Sequence, residues 1–271
     1  MASDYCTRAQ LRSYLGLDAP KAKGDDSLLD DLIQRASRAI DTHTRRWFYE
    51  KLDTREYDYP GRQRLWLDAD LLSLTTLTID GTANTDYKLR PQNVDAKQWI
   101  EMTYGTGSVF EWSDTPQDAV TVLGLWGYHD DYANAWTTSG DTVQNVTQIS
   151  ASGTALTVTA AETFSERQTI KIGTEQLLIT ARNITTEVLT VTRGVNGTTA
   201  AAHANATAIT IWRPCADIEH IAIRLAGWYY RQKDAPYSRT ANPAMGVVVE
   251  PAEIPPDVAK QLNGYKRRRI A

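Results

Sequence analysis

Apolar residues in the first 45 positions recur at helical spacing. Leu11, Tyr14 and Leu15 share one side of a short segment that Thr7 and Gln10 open as a capping box and Gly16 ends. Leu28, Leu29, Leu32, Ile33, Ala36, Ala39 and Ile40 predict a longer helix from about Asp26, capped by that residue or Ser27 and ending near Arg45-Arg46-Trp47. Asp31 with Arg35, and Asp41 with Arg45, stand four apart in the stabilising order. From Leu52 to Tyr128 the period falls to two. Arg55–Tyr59, Arg64–Leu67, Leu74–Ile79, Trp99–Met102 and Val120–Leu123 predict short strands, with turns at Pro60-Gly61, Asp80-Gly81 and Gly105–Gly107. No helical segment separates them, so an antiparallel meander is expected.

Alternation continues through Leu156/Val158, Ile170/Ile172, Leu177/Ile179, Leu189/Val191 and Ile209/Ile211, with hairpin turns expected at Gly173-Thr174 and Asn196-Gly197. After Pro214 the helical period returns in Ile218, Ile221, Ala222, Leu225 and Tyr229, ending at Arg231-Gln232-Lys233. A last short helix is expected from Pro255-Pro256-Asp257, because proline suits a first turn.

Composition divides the chain. Every tyrosine and tryptophan lies outside residues 137–211, where Phe164 is the only large aromatic and Lys171 the only lysine. Trp136 and Trp212 stand at the two seams. The expected organisation is therefore a discontinuous first domain, residues 1–136 and 212–271, interrupted by an all-β sandwich or barrel-like insertion at 137–211.

The formal net charge of -4 opposes a main task of gripping nucleic acid. No apolar run approaches the roughly 20 residues that cross a bilayer. The opening Met1–Cys6 lacks the features of a secretory signal, and Cys6 and Cys215 are too few for a disulfide framework. A chain made in the cytoplasm with reduced thiols is expected.

The search for chemistry gives no catalytic residue, metal site or cofactor. His43, His129, His203 and His220 are scattered, without a two-histidine metal spacing. Tyr104–Ser108 carries two glycines of a dinucleotide loop and no third, which reads as a β-turn. Asp130 and Asp131 are the best carboxylate pair, but neighbours on a strand point to opposite faces; a solvated loop is the simpler account, with a divalent-cation site and then catalysis as the alternatives. Four Asn-x-Thr triplets, at Asn145, Asn183, Asn196 and Asn205, fit chance in a threonine-rich β segment.

Recognition surfaces are better represented. Trp228 and Tyr230 flank the apolar stripe of the helix after Pro214 and are candidates for subunit contact. Trp126 and Tyr128, in the aromatic run 126–136, divide between core, domain seam and subunit contact. Lys266, Arg267, Arg268 and Arg269 form a cationic cluster on an acidic chain. It reads as a solvated end, a dock for an acidic partner, or a DNA contact.

In this order the elements resemble the head–tail connector, or adaptor, proteins of long-tailed bacteriophages. Thr7–Leu17 resembles the first helix of that family, and Asp25–Ile33, leading through Ala36 and Ile40 to Trp47, its second. Val120–Tyr128 is similar to the strand that ordinarily runs straight into the third helix, here Asp217–Ala226 after Pro214. The departure is the β insertion. Within it, Arg193-Gly194-Val195-Asn196-Gly197-Thr198 through His203 is similar to a pattern in β domains of phage structural proteins.

The resemblance implies an α+β fold, a helical connector core with a small antiparallel sheet. It implies a structural, non-enzymatic virion protein of the neck. Many copies, twelve in the family's usual symmetry, would form a ring between portal and tail, touching a tail-side stopper or tail-completion protein. The insertion would be free to reach the capsid. Double-stranded DNA would pass through the ring without specific binding, and no membrane partner is implied. By analogy, Lys266–Arg269 would meet the portal. Two other readings stay open: a tail-completion or decoration protein whose β domain binds capsid or host glycan, and an enzyme such as a carbohydrate hydrolase. The missing carboxylate and metal motifs weigh against the enzyme.

Overall fold

A computed structural model describes residues 2–17, 25–61, 63–233, 240–242, 247–249 and 254–267. They fall into two compact units, a β unit from residues 2–3 and 46–215 and a helical unit from residues 4–45 and 216–267.

The first sheet of the β unit contains β1 (Lys51–Tyr57), β2 (Arg64–Ile79), β3 (Thr82–Asn84), β4 (Tyr87–Arg90), β5 (Lys97–Met102) and β6 (Val120–Trp126). Every pairing is antiparallel, in the order β1-β6-β2-β5-β4, with β3 on β2. This is not the expected sequential meander: β6 lies between β1 and β2, so that Val120 faces both Tyr57 and Ile79. Two expected strands, 64–67 and 74–79, join into the single β2, whose register shifts absorb the Asp68–Asp70 interruption. Leu65, Leu67, Leu71, Leu77, Ile100, Val122 and Trp126 form its core.

The second sheet contains β7 (Trp136–Thr142), β9 (Ala155–Thr157), β10 (Thr169–Ile172), β11 (Glu175–Asn183), β12 (Val188–Thr192) and β14 (Ala208–Trp212), in the order β7-β14-β10-β11-β12-β9. A separate two-stranded pair joins β8 (Gln148–Ile149) and β13 (His203–Ala204). All five alternating pairs read from the sequence lie in its core, with Phe164 among them. Gly173 turns β10 into β11 as expected, but Asn196-Gly197 belongs to a 3₁₀ turn over Val195–Gly197, not to a hairpin.

The helical unit holds α1 (Arg8–Leu15), α2 (Asp26–Thr44), α3 (Ala216–Gln232) and α4 (Pro256–Leu262), with a two-stranded pair formed by β15 (Thr240–Asn242) and β16 (Val247–Val249). Thr7 and Gln10 make the expected capping box, and Gly16 closes α1 at φ 69°. Asp25 precedes α2 without a side-chain cap bond, and its carboxylate accepts from Tyr230 Oη at 2.6 Å and Lys233 Nζ at 2.8 Å. Leu29, Ile33, Ala36 and Ile40 of α2 are buried, as are Ile218, Ile221, Ala222, Leu225 and Tyr229 of α3. Gly227 allows α1 to approach α3, since a Cβ there would sit 2.6 Å from the Tyr14 ring. Asp41 is paired with Arg38, at 3.3 Å, and with the Tyr5 hydroxyl.

These features overturn the expected fold class. Among the described residues β dominates, 34% strand against 27% helix, and a helical core carrying a small sheet is not evident. The physical reason lies in 51–126. Its strands are longer and more numerous than the local alternation revealed, and they bury their own apolar side chains against one another.

Candidate functional site

The loop that follows β6 is held tightly. Gly127, at φ 145°, donates its N–H to Asp70 O at 2.9 Å, and a Cβ there would lie 2.1 Å from Tyr49 O. Tyr128 N–H reaches Trp47 O at 2.9 Å, with its ring beneath the Arg46 guanidinium and edge-on to Phe48. This fixes His129, 6% exposed, beside Trp212. His129 Nε2 lies 2.9 Å from Arg213 O, while Asp131 N–H reaches Nδ1 at 3.0 Å. A carbonyl only accepts, so the neutral ring carries its hydrogen on Nε2 and its lone pair on Nδ1.

Cys215 comes up against the same ring. His129 Nδ1, an Asp130 carboxylate oxygen and Cys215 Sγ all lie within 4.8 Å of one another, with Asp130 exposed and the other two buried. Burial, reinforced by the Asp130 carboxylate, pushes the Cys215 thiol up to about 12, although the Asp130 backbone N–H opposes it. The arrangement offers nitrogen, oxygen and sulfur donors at one point. Asp131, by contrast, turns away to accept from Asn134 Nδ2 at 2.8 Å, so the adjacent carboxylates do not share a site.

Two further buried carboxylates organise the β unit, and sequence reasoning missed both. Glu50 accepts from Tyr132 Oη at 2.6 Å, Trp136 Nε1 at 2.9 Å and Gln176 Nε2 at 3.0 Å. Burial and the neighbouring Glu50 charge raise the Tyr132 hydroxyl, and burial lowers Lys171. Glu175, 1% exposed, accepts from Arg193 at 2.8 and 2.7 Å, from the backbone of Gly194 and Ala201, and meets His203 Nε2 at 2.7 Å. Burial alone would raise this carboxyl; Arg193 and its other donors hold it down at about 2. The Arg193–His203 pattern is thus a loop closed around one carboxylate. Asn196 is buried and donates from Nδ2 to Ser3 Oγ and Gln176 Oε1, each at 2.7 Å.

Trp126 is fully buried, its Nε1 donating to Asp53 O at 3.0 Å. It is a core residue, which removes it from the subunit-contact candidates. Tyr128 is half-buried under Arg46. On the helical unit, Trp228 is half-buried, and Tyr230 is tied to Asp25 and Lys233. Lys266 is exposed, and Arg267 anchors its backbone N–H to Thr44 O at 2.8 Å. Arg268 and Arg269 lie outside the described residues. A recess of about 380 Å³ opens on this unit between Arg35, Arg38, Thr42 and His43 of α2 and Tyr229 of α3, with Arg35 over the Tyr229 ring. Tyr104–Ser108 is an exposed turn, as expected, and Phe164 is fully buried, so residues 137–211 present no large aromatic to a sugar.

No protein-family model matches the chain, and no curated protein matches it. No described helix is long and apolar enough to cross a membrane.

Proposed function

We propose that this chain is a structural protein of a phage virion neck, assembling as a ring between portal and tail through which duplex DNA leaves the head. The observation that supports this reading is the meeting of the two stretches that resemble the connector family. Gln10 Nε2 donates to Glu219 at 2.7 Å, Tyr230 Oη to Asp25 at 2.6 Å, and Arg267 N–H to Thr44 O at 2.8 Å. Residues from opposite ends of the chain thus share one unit, which supports the reading. A subunit with net charge -4 suits a lumen from which phosphate must slide. Exposed Lys266, with Arg268 and Arg269, supplies a salt-sensitive contact for an acidic portal surface, and half-buried Trp228 a contact between copies.

Negative-stain microscopy of the purified protein, alone and mixed with its portal ring, tests the reading. Rings, or portal rings capped by extra density, are expected. Capture should weaken in K266E/R268E/R269E with the circular dichroism spectrum unchanged. A protein that stays monomeric and leaves the portal bare at micromolar concentration overturns the proposal.

A further inference from the structure

We propose that His129, Asp130 and Cys215 form a three-ligand site for a thiophilic divalent cation, with Zn²⁺ the best fit. The donor set is one imidazole nitrogen, one carboxylate oxygen and one sulfur, all within 4.8 Å of one another. Zinc takes such donors at about 2.0–2.3 Å, which sets tetrahedral ligands roughly 3.3–3.8 Å apart. His129 Nδ1 and Asp130 Oδ1 are already 3.5 Å apart. Asp130, 54% exposed at its side chain, is the ligand on the open side of the group.

An independent feature comes from the far side of the ring. A metal-bound histidine ordinarily donates its second ring N–H to a carbonyl or carboxylate, which fixes the tautomer and aims the lone pair. His129 Nε2 makes that bond to Arg213 O at 2.9 Å, and the ring is wedged edge-on against Trp212. Nδ1 therefore keeps its lone pair unprotonated within reach of Asp130 and Cys215. The cation would displace the Asp131 N–H from Nδ1, and Asp131 is exposed, so water takes over that donor.

Binding breaks the Cys215 S–H bond, releases its proton to solvent and forms a sulfur–metal bond, with no change of oxidation state. The exposed side of Asp130 leaves water as the fourth ligand. Sulfur and imidazole together select zinc over magnesium or calcium. A bound cation would clamp the 127–131 loop onto residues 213–215. This inference is separate from the virion reading and survives its failure.

The test titrates tag-free, reduced, metal-free protein with Co²⁺ and then with Zn²⁺. One equivalent of Co²⁺ should give a thiolate-to-cobalt charge-transfer band in the near ultraviolet and the visible bands of a tetrahedral centre. Zn²⁺ should bleach both and raise the thermal midpoint, and a chelator should reverse that rise. Cys215→Ser should abolish the charge-transfer band. Asp130→Asn, a change at an exposed side chain, should weaken binding by about tenfold or more. Cys6→Ser, at the other buried cysteine, should leave the band intact. No uptake of either metal at one equivalent, uptake without the thiolate band, or a band that follows Cys6 overturns the proposal.

Discussion

In the β unit, Glu50 and Glu175 are buried and surrounded by donors; in the helical unit, pairs such as Arg224–Asp257 and Lys233–Asp25 sit at the surface over an apolar stripe. Glu50 and Glu175 are 3% and 1% exposed, each with three or more donors from distant parts of the chain. Arg224–Asp257 and Lys233–Asp25 are open to water. The first kind of interaction specifies one arrangement, because removing a partner strands a buried charge. The second adds little to stability and leaves the work to Leu29, Ile33, Leu225 and their neighbours.

That contrast can be broken from the β side first. Glu175→Ala should cost about 4 kcal/mol in urea unfolding, because Arg193 and His203 lose their buried partner. Tryptophan fluorescence should report it, since every tryptophan but Trp228 lies in this unit. Next, Ile33→Ala removes a fully buried side chain from the helical unit and should cost about 3 kcal/mol, seen as earlier loss of helical circular dichroism.

Asp41 sharpens the comparison from the helical side, because its carboxyl shifts the opposite way to that of Glu175. Burial raises it from 3.8 to about 7, against the pull of Arg38 and the Tyr5 hydroxyl. Folding then takes up a proton between those values, so the stability tied to this group is complete below pH 4 and lost as pH rises through 7. Asp41→Asn should match the parent near pH 4 and exceed it at pH 8 in thermal unfolding. The smallest effect belongs to Asp257→Asn, which removes an exposed pair with Arg224 and should leave the unfolding midpoint unchanged within error.

Much of the element list was legible because periodicity is a local property. The capping box at Thr7, the stop at Gly16, the α2 and α3 stripes and the five alternating pairs of 156–211 follow from neighbours within a few residues. The architecture was less legible. Val120–Leu123 carries no sign that its strand would lie between β1 and β2, and Trp126 reads the same in a core as in an interface. The donor set of the candidate metal centre was hidden, since His129 and Cys215 are remote in sequence; the Asp130-Asp131 pair admits a cation site but pairs the wrong carboxylates.

The amino-acid order alone determined the main helices, the strongly alternating strands and which side of each is apolar, since backbone preference and hydrophobic period act over a single turn or pleat. Tertiary structure decided that β dominates, which strands are neighbours, and which polar groups share the interior. Those outcomes depend on registers between segments a hundred or more residues apart. Only when such segments close do Glu50, Glu175 and the group of His129, Asp130 and Cys215 gain the partners that give them their chemistry.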